Sequence, residues 1–148
     1  MNYVLDTNIL IHILTGSEKG KIAVTTMEEE HVTSIISIVT KAELLSIAQK
    51  RRWGNKKVGT LKFLLDKLVV IPIKTDEIVR VYAEIDAYSQ GKLIGKKLPG
   101  SARNMGKNDL WIAATAYLTK STLMTTDNDF NHLESVYLEL KNLNNSER

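Results

Sequence analysis

The chain has 148 residues, no cysteine and a net charge of +3, from 20 Lys and Arg against 17 Asp and Glu. That length suits one domain, and 43% hydrophobic residues are enough for a core. The missing cysteines exclude disulfides, thiolate metal sites and a cysteine nucleophile. No apolar stretch approaches the roughly 20 residues that span a bilayer. The opening Met1-Asn2-Tyr3-Val4-Leu5-Asp6 has no basic-then-apolar leader pattern. A soluble cytoplasmic protein with no membrane association is expected.

Tyr3 to Leu5 is a short apolar run that reads as a buried strand, with Asp6-Thr7-Asn8 at its carboxyl end. Ile9 to Leu14 reads as a short helix, and Ser17 to Glu30 as helical in part. Val32 to Ile36, apolar and β-branched, is a second strand. A helix from about Ser37 to Arg52 follows, stopped by Gly54-Asn55. Leu61, Leu64, Leu65 and Leu68 form the i, i+3, i+4, i+7 stripe of an amphipathic helix over 56–68. Val69 to Ile73 is a third strand. Thr75 can cap a helix to Ser89, with Ile78, Tyr82 and Ile85 on one face. Residues 91–106, with Gly91, Gly95, Pro99, Gly100 and Gly106, form a loop. Asp109 to Thr119 is a helix apolar nearly all round and hence buried. Leu123 to Thr125 is a fourth strand, and Val136 to Leu138 a candidate fifth.

Strands therefore alternate with helices. The pattern predicts an α/β fold, a three-layer α/β/α sandwich around a mainly parallel sheet of four to five strands. One domain is expected over residues 1–142, with a polar tail at 143–148. Sites in such folds form beyond the carboxyl ends of the strands, near a switch in strand order.

Two acids, Asp6 and Asp127, lie just past predicted strands, and two more, Glu43 and Asp109, lie on predicted helices. Asp6 ends the first strand, where it could bind a metal or cap the next helix. Glu43 has Val39 and Ile47 at i−4 and i+4. An acid on that apolar stripe needs a compensating partner, unless Thr40-x-x-Glu43 is a capping box at a helix start. Asp109 opens the buried helix as a ligand, and it or Asn108 could also be the cap. Asp127 lies in Met124-Thr125-Thr126-Asp127-Asn128-Asp129-Phe130, which also suits a turn. A dehalogenase-type phosphatase needs a second Asp at position 8, which is Asn8.

The sequence resembles the PIN-domain family, and within it the VapC-like toxins of toxin–antitoxin pairs. Four segments carry the likeness. They are Tyr3-Val4-Leu5-Asp6-Thr7-Asn8, Ser37-Ile38-Val39-Thr40-Lys41-Ala42-Glu43-Leu44, Asn108-Asp109-Leu110-Trp111-Ile112-Ala113-Ala114-Thr115-Ala116, and Met124 to Phe130. The resemblance implies that Asp6, Glu43, Asp109 and Asp127 bind Mg²⁺ or Mn²⁺ and catalyse hydrolysis of RNA phosphodiester bonds. Thr7, Asn8 and Thr126 match supporting positions, and Asp129 is an extra acid beside the fourth. The implied partners are RNA, a small antitoxin that blocks the site, and a second copy in a homodimer. An RNA-processing nuclease without an antitoxin and a catalytically silent binding module are the alternatives.

Clustered carboxylates repel one another unless a cation neutralises them, and hard ions prefer oxygen ligands. His12, His31 and His132 show no ligand spacing. Basic residues that could meet an RNA backbone lie in two places. Lys50, Arg51, Arg52, Lys56 and Lys57 flank Trp53, which could stack on a base. Lys92, Lys96, Lys97, Arg103 and Lys107 lie in or beside the 91–106 loop. Each group also reads as an ordinary solvated surface.

Overall fold

The computed structural model describes residues 1–144. Strand β1 (Asn2–Leu5) is followed by helices α1 (Thr7–Thr15) and α2 (Glu18–Met27). Strand β2 (Thr33–Ser37) leads into α3 (Ile38–Lys50) and α4 (Asn55–Asp66). Strand β3 (Val69–Ile71) leads into α5 (Asp76–Ser89) and α6 (Lys107–Leu118). Strand β4 (Thr122–Thr125), a 3₁₀ turn over Asn128–Leu133 and β5 (Glu139–Asn142) complete the described chain. No helix among the described residues is long and apolar enough to cross a membrane.

The sheet is parallel throughout and ordered β3-β2-β1-β4-β5. From β1 the chain first builds outward through β2 and β3, then returns to β1's other edge with β4. The order therefore switches between β1 and β4, and a crevice opens beyond their carboxyl ends.

Side chains alternate across a strand, and here they divide between two cores. Tyr3, Leu5, Ile36 and Met124 face one helical layer, packing with Ile9, Leu10, Leu44, Leu61 and Leu65. Val4, Ile35 and Leu123 face the other, packing with Ile85, Tyr88, Leu110, Ile112 and Phe130. Both sheet faces are thus covered, giving the expected three-layer sandwich. Helix α6 contributes six buried residues from Leu110 to Ala116, as its all-round apolarity requires.

Several boundaries differ from the sequence reading, most by one or two residues. The third strand stops at Ile71 rather than Ile73, because Pro72 has no N–H for the ladder. The fifth strand is Glu139–Asn142, not Val136 to Leu138. Tyr137 and Leu138 are apolar because they pack under the α5–α6 layer, whereas β5 is a polar edge strand aligned Thr122 to Glu139 with β4. Leu143, assigned to the polar tail, is fully buried in the first core, so packing runs past residue 142. The rest of that tail, from 145, lies outside the described residues.

The loop between α5 and α6 has no helix or strand. Gly91, Gly95 and Gly100 turn it at φ of 71°, 85° and 100°, which residues with a Cβ rarely adopt. Leu93, Leu98 and Met105 tack it to the second core.

Candidate active site

Asp6 is the first residue beyond β1. Its backbone N–H donates to the Met124 carbonyl at 3.0 Å, carrying the β1–β4 pairing one step past the strand. The side chain therefore enters the crevice, where it is 4% exposed. One oxygen, Oδ1, accepts from the Thr7 N–H at 2.8 Å and caps α1. The other, Oδ2, accepts from the Thr125 hydroxyl at 2.8 Å. The cap reading of Asp6 is thus correct, and it leaves the carboxylate in the crevice. Burial pushes its pKa up to about 6, against the lowering effect of the Thr125 and Thr7 hydrogen bonds, with Asp127 and Glu43 adding repulsion.

Thr125, fully buried at the end of β4, serves both sides of the crevice. Its hydroxyl donates to Asp6 and accepts from the Asp127 N–H at 2.9 Å. The sequence reading assigned the supporting hydroxyl to Thr126. The Thr126 side chain makes no hydrogen bond to Asp6 or Asp127, and its carbonyl accepts from Asn144 instead. The clue available in the sequence was burial: the last residue of an interior strand faces its neighbours, while the next one enters the loop. Asn8 is exposed, and its side chain makes no hydrogen bond to Asp6. Thr7 supports Asp6 through its backbone N–H and a second acid through its side chain. Its single hydroxyl hydrogen can go to Glu43 Oε1 at 3.1 Å or to Thr40 Oγ1 at 3.4 Å.

Helix α3 begins at Ile38, with Ser37 as its cap through the Val39 N–H at 3.2 Å. Glu43 therefore lies inside the helix, and the Thr40-x-x-Glu43 capping box is not formed. Helix α6 begins at Lys107 with Gly106 as N-cap and no side-chain cap, so neither Asn108 nor Asp109 caps it. Asp109, half-buried in the first turn, turns toward the other acids. Burial raises its pKa to about 7, helped by repulsion from Asp6, Asp127, Glu43 and Asp129. Asp127 accepts from the Asp129 N–H at 2.8 Å and caps the 3₁₀ turn, so the turn reading also holds.

Carboxylate oxygens of Asp109, Asp127 and exposed Asp129 lie within 4.8 Å of one another. Asp6 and Glu43 stand behind them, close enough for their charges to act on Asp109. The structure thus brings together all four acids singled out in the sequence, and Asp129 with them. Among the described residues the one ion pair is Lys21–Glu18, remote in sequence, so no Lys or Arg neutralises the cluster. The histidines do not contribute: His12 bonds Ser17 at 2.8 Å and His132 bonds Ser89 at 2.7 Å. A cluster of all-oxygen donors with no protein cation fits a hard divalent ion such as Mg²⁺ or Mn²⁺.

The basic candidates separate. Arg51 and Arg52 are exposed just after α3. Trp53 is half-buried against the first core, with the Lys57 ammonium 4.1 Å from its ring centroid, so that face is already covered. Lys96 lies over the Tyr137 ring at 4.3 Å. Lys97 and Arg103 are exposed in the loop, and Lys107 is exposed one turn-half before Asp109.

Known structures share this arrangement of elements. The VapBC2 structure from Rickettsia felis, solved with a fragment of promoter DNA, matches with a TM-score of 0.73 at 23% identity, over 96% of this chain and 98% of that one. VapBC-1 from nontypeable Haemophilus influenzae matches with a TM-score of 0.72, also at 23% identity and over 96% and 98% of the two chains. FitAcB from Neisseria gonorrhoeae matches at 0.67 with 22% identity, over 95% and 96%. No curated protein matches the chain in sequence. The family model for the PIN domain matches residues 3–136, which contain every acid of the crevice, and the chain belongs to the PIN-domain family.

Proposed function

We propose that this protein is a divalent-metal-dependent endoribonuclease and the toxin of a toxin–antitoxin pair. The observation that carries the reading is the convergence of Asp6, Glu43, Asp109, Asp127 and Asp129 beyond β1 and β4, with no ion pair to any of them among the described residues. Such a cluster is costly to keep unless it binds a cation.

Asp6, Asp109 and Asp127 are the residues that would hold Mg²⁺ or Mn²⁺, with Asp129 at the exposed rim. The bound ion would supply acidification of a water and neutralisation of charge at the phosphate. Asp6 is oriented by Thr7 and Thr125, which fix both its oxygens. Glu43, held by the Thr7 hydroxyl, would orient the attacking water and receive its proton. Attack on phosphorus forms one P–O bond, and the departing ribose oxygen takes a proton as the other breaks.

A small antitoxin would inhibit by covering the crevice with a basic segment, as the acidic rim invites. A solved structure of similar fold, VapBC-5 from Mycobacterium tuberculosis, is a member of the VapBC family of toxin–antitoxin systems, which supports that partner. The cytoplasm, where RNA substrates reside, is the proposed location, and the homodimer is part of the same proposal. The test is cleavage of total RNA by the purified protein beside Asp6→Asn, with Mg²⁺, with Mn²⁺ and with EDTA. Cleavage that requires both the metal and Asp6 is the expected result. Equal products from the two proteins, both folded, would overturn the reading.

A further inference from the structure

A shallow groove leads out of the acidic crevice, sharing only Glu43 with the chemistry above. Glu43, Ser46, Ile47 and Lys50 line it from α3, and Asn108 lines it from the first turn of α6. Ser46 and Lys50 follow Glu43 at i+3 and i+7, so one helical stripe runs from the crevice toward the end of α3. At 1.5 Å rise per residue, Lys50 stands about 10 Å along the helix from Glu43. That is beyond the reach of the reacting phosphate and suits one further along a strand.

The chemistry of the lining changes along this stripe. It begins at a carboxylate, crosses the half-buried Ile47, and ends at an exposed ammonium. Among the described residues Lys50 has no ion pair, and neither Lys50 nor Asn108 makes a side-chain hydrogen bond. Both are therefore free to bind something else. A groove that starts at metal-binding acids and ends at a free cation matches a polyanion leading away from its cleaved bond.

We propose that this α3–α6 groove is the track of the single-stranded RNA flanking the scissile phosphate, with Lys50 holding a backbone phosphate and Asn108 hydrogen-bonding the intervening nucleotide. The proposal rests on the ribonuclease reading for its substrate. Ile47 gives the nucleotide an apolar floor, and Ser46 offers a hydroxyl to the ribose or phosphate. Lys50 and Asn108 here are binding residues that touch substrate, distinct from the acids that act on it.

The experiment is fluorescence anisotropy with a short labelled single-stranded RNA, in EDTA so that nothing is cleaved, over a range of salt concentrations. Lys50→Ala should weaken binding about tenfold, the worth of one charge-assisted contact, and lower the salt slope by about 0.7, one phosphate's share. Lys50→Arg should keep both values. Asn108→Ala should weaken binding without changing the slope. Lys62→Ala, an exposed lysine on α4, should change neither. Lys50 is exposed outside both cores, so its variants fold. Binding by Lys50→Ala equal to wild type, an equal loss from Lys62→Ala, or no binding by the wild type would each overturn the proposal. The last result would follow if a second copy of the chain covers the groove. Metal- and Asp6-dependent cleavage that is identical in Lys50→Ala sinks the groove and leaves the nuclease standing. Lys50-dependent binding without cleavage sinks the nuclease and leaves the groove.

Discussion

The inner and outer walls of the crevice hold the same kind of group under opposite conditions. On the inner wall, Asp6 is buried and both its oxygens accept hydrogen bonds, from Thr7 and Thr125. On the outer rim, Asp129 is exposed and shares a 4.8 Å cluster with Asp109 and Asp127. On the proposed reading, the inner acid, held at both oxygens, would set where the ion binds. At the rim only Asp129 is exposed, and its side chain is free to adjust. A rigid inner ligand with a compliant rim lets a site define position while still admitting a bulky phosphate.

The comparison predicts graded effects. Asp6→Asn should cost the most, lowering RNA cleavage by more than about a hundredfold, beyond the usual loss for a supporting residue. Single-turnover rates at saturating Mg²⁺ would measure it, and a tenfold loss or less would place the defining ligand elsewhere. Thr125→Val should come next, at roughly 10- to 100-fold in activity or metal affinity, with Thr125→Ser restoring most of it. Thr126→Val should stay close to wild type. If the two threonine variants exchange behaviour, the shared hydroxyl is not the link between the walls. Asp129→Asn on the rim should reduce activity by less than either inner substitution and weaken Mg²⁺ affinity only modestly, as read by metal titration.

Stability separates the walls again. The folded pKa values of Asp6 and Asp109, about 6 and about 7, exceed the ordinary carboxyl value of 3.8. The folded state thus holds these protons more tightly than the unfolded chain does. Their stabilising effect is complete below about pH 4 and is lost as pH rises through 6 and 7. For buried Asp6 the loss is about 3 kcal/mol at most. In EDTA, the melting temperature of wild type relative to Asp6→Asn should fall between about pH 4 and 6 and stay level above that, and Mg²⁺ should restore it at the upper end. Parallel curves for the two proteins would break the link between burial and the raised pKa. The smallest effect belongs to a site remote from both walls. A Cβ at Gly20 would lie 2.1 Å from the His12 carbonyl oxygen, so Gly20→Ala should cost about 1–3 kcal/mol in chemical denaturation. Cleavage per folded molecule should be unchanged.

Much of this was legible in the chain because it rests on local patterns. The leucine stripe at 61–68 and the capping residues Ser37 and Thr75 depend on residues within a few turns of one another, so helices α3 to α5 fall close to their expected limits. The four acids could be picked out by their order in segments that resemble the PIN-domain family, since each alone also reads as a cap or a turn. Where the reading failed, an apolar residue or a hydroxyl had two possible burial environments. Tyr137 and Leu138 looked like a strand but are buried beneath helices. Thr125 and Thr126 are adjacent hydroxyls, and only the strand's end point decides which one turns inward.

The sequence by itself determined the alternation of strands and helices, because periodicity is a property of short segments, and it marked the acids through the order of the segments that carry them. Only the tertiary structure decided that residues 6, 43, 109 and 127 meet, that Asp129 joins them and that Thr125 ties the two walls. The physical reason is that these contacts join residues up to 119 positions apart. They form only once β4 returns to the free edge of β1 and the order of the strands reverses.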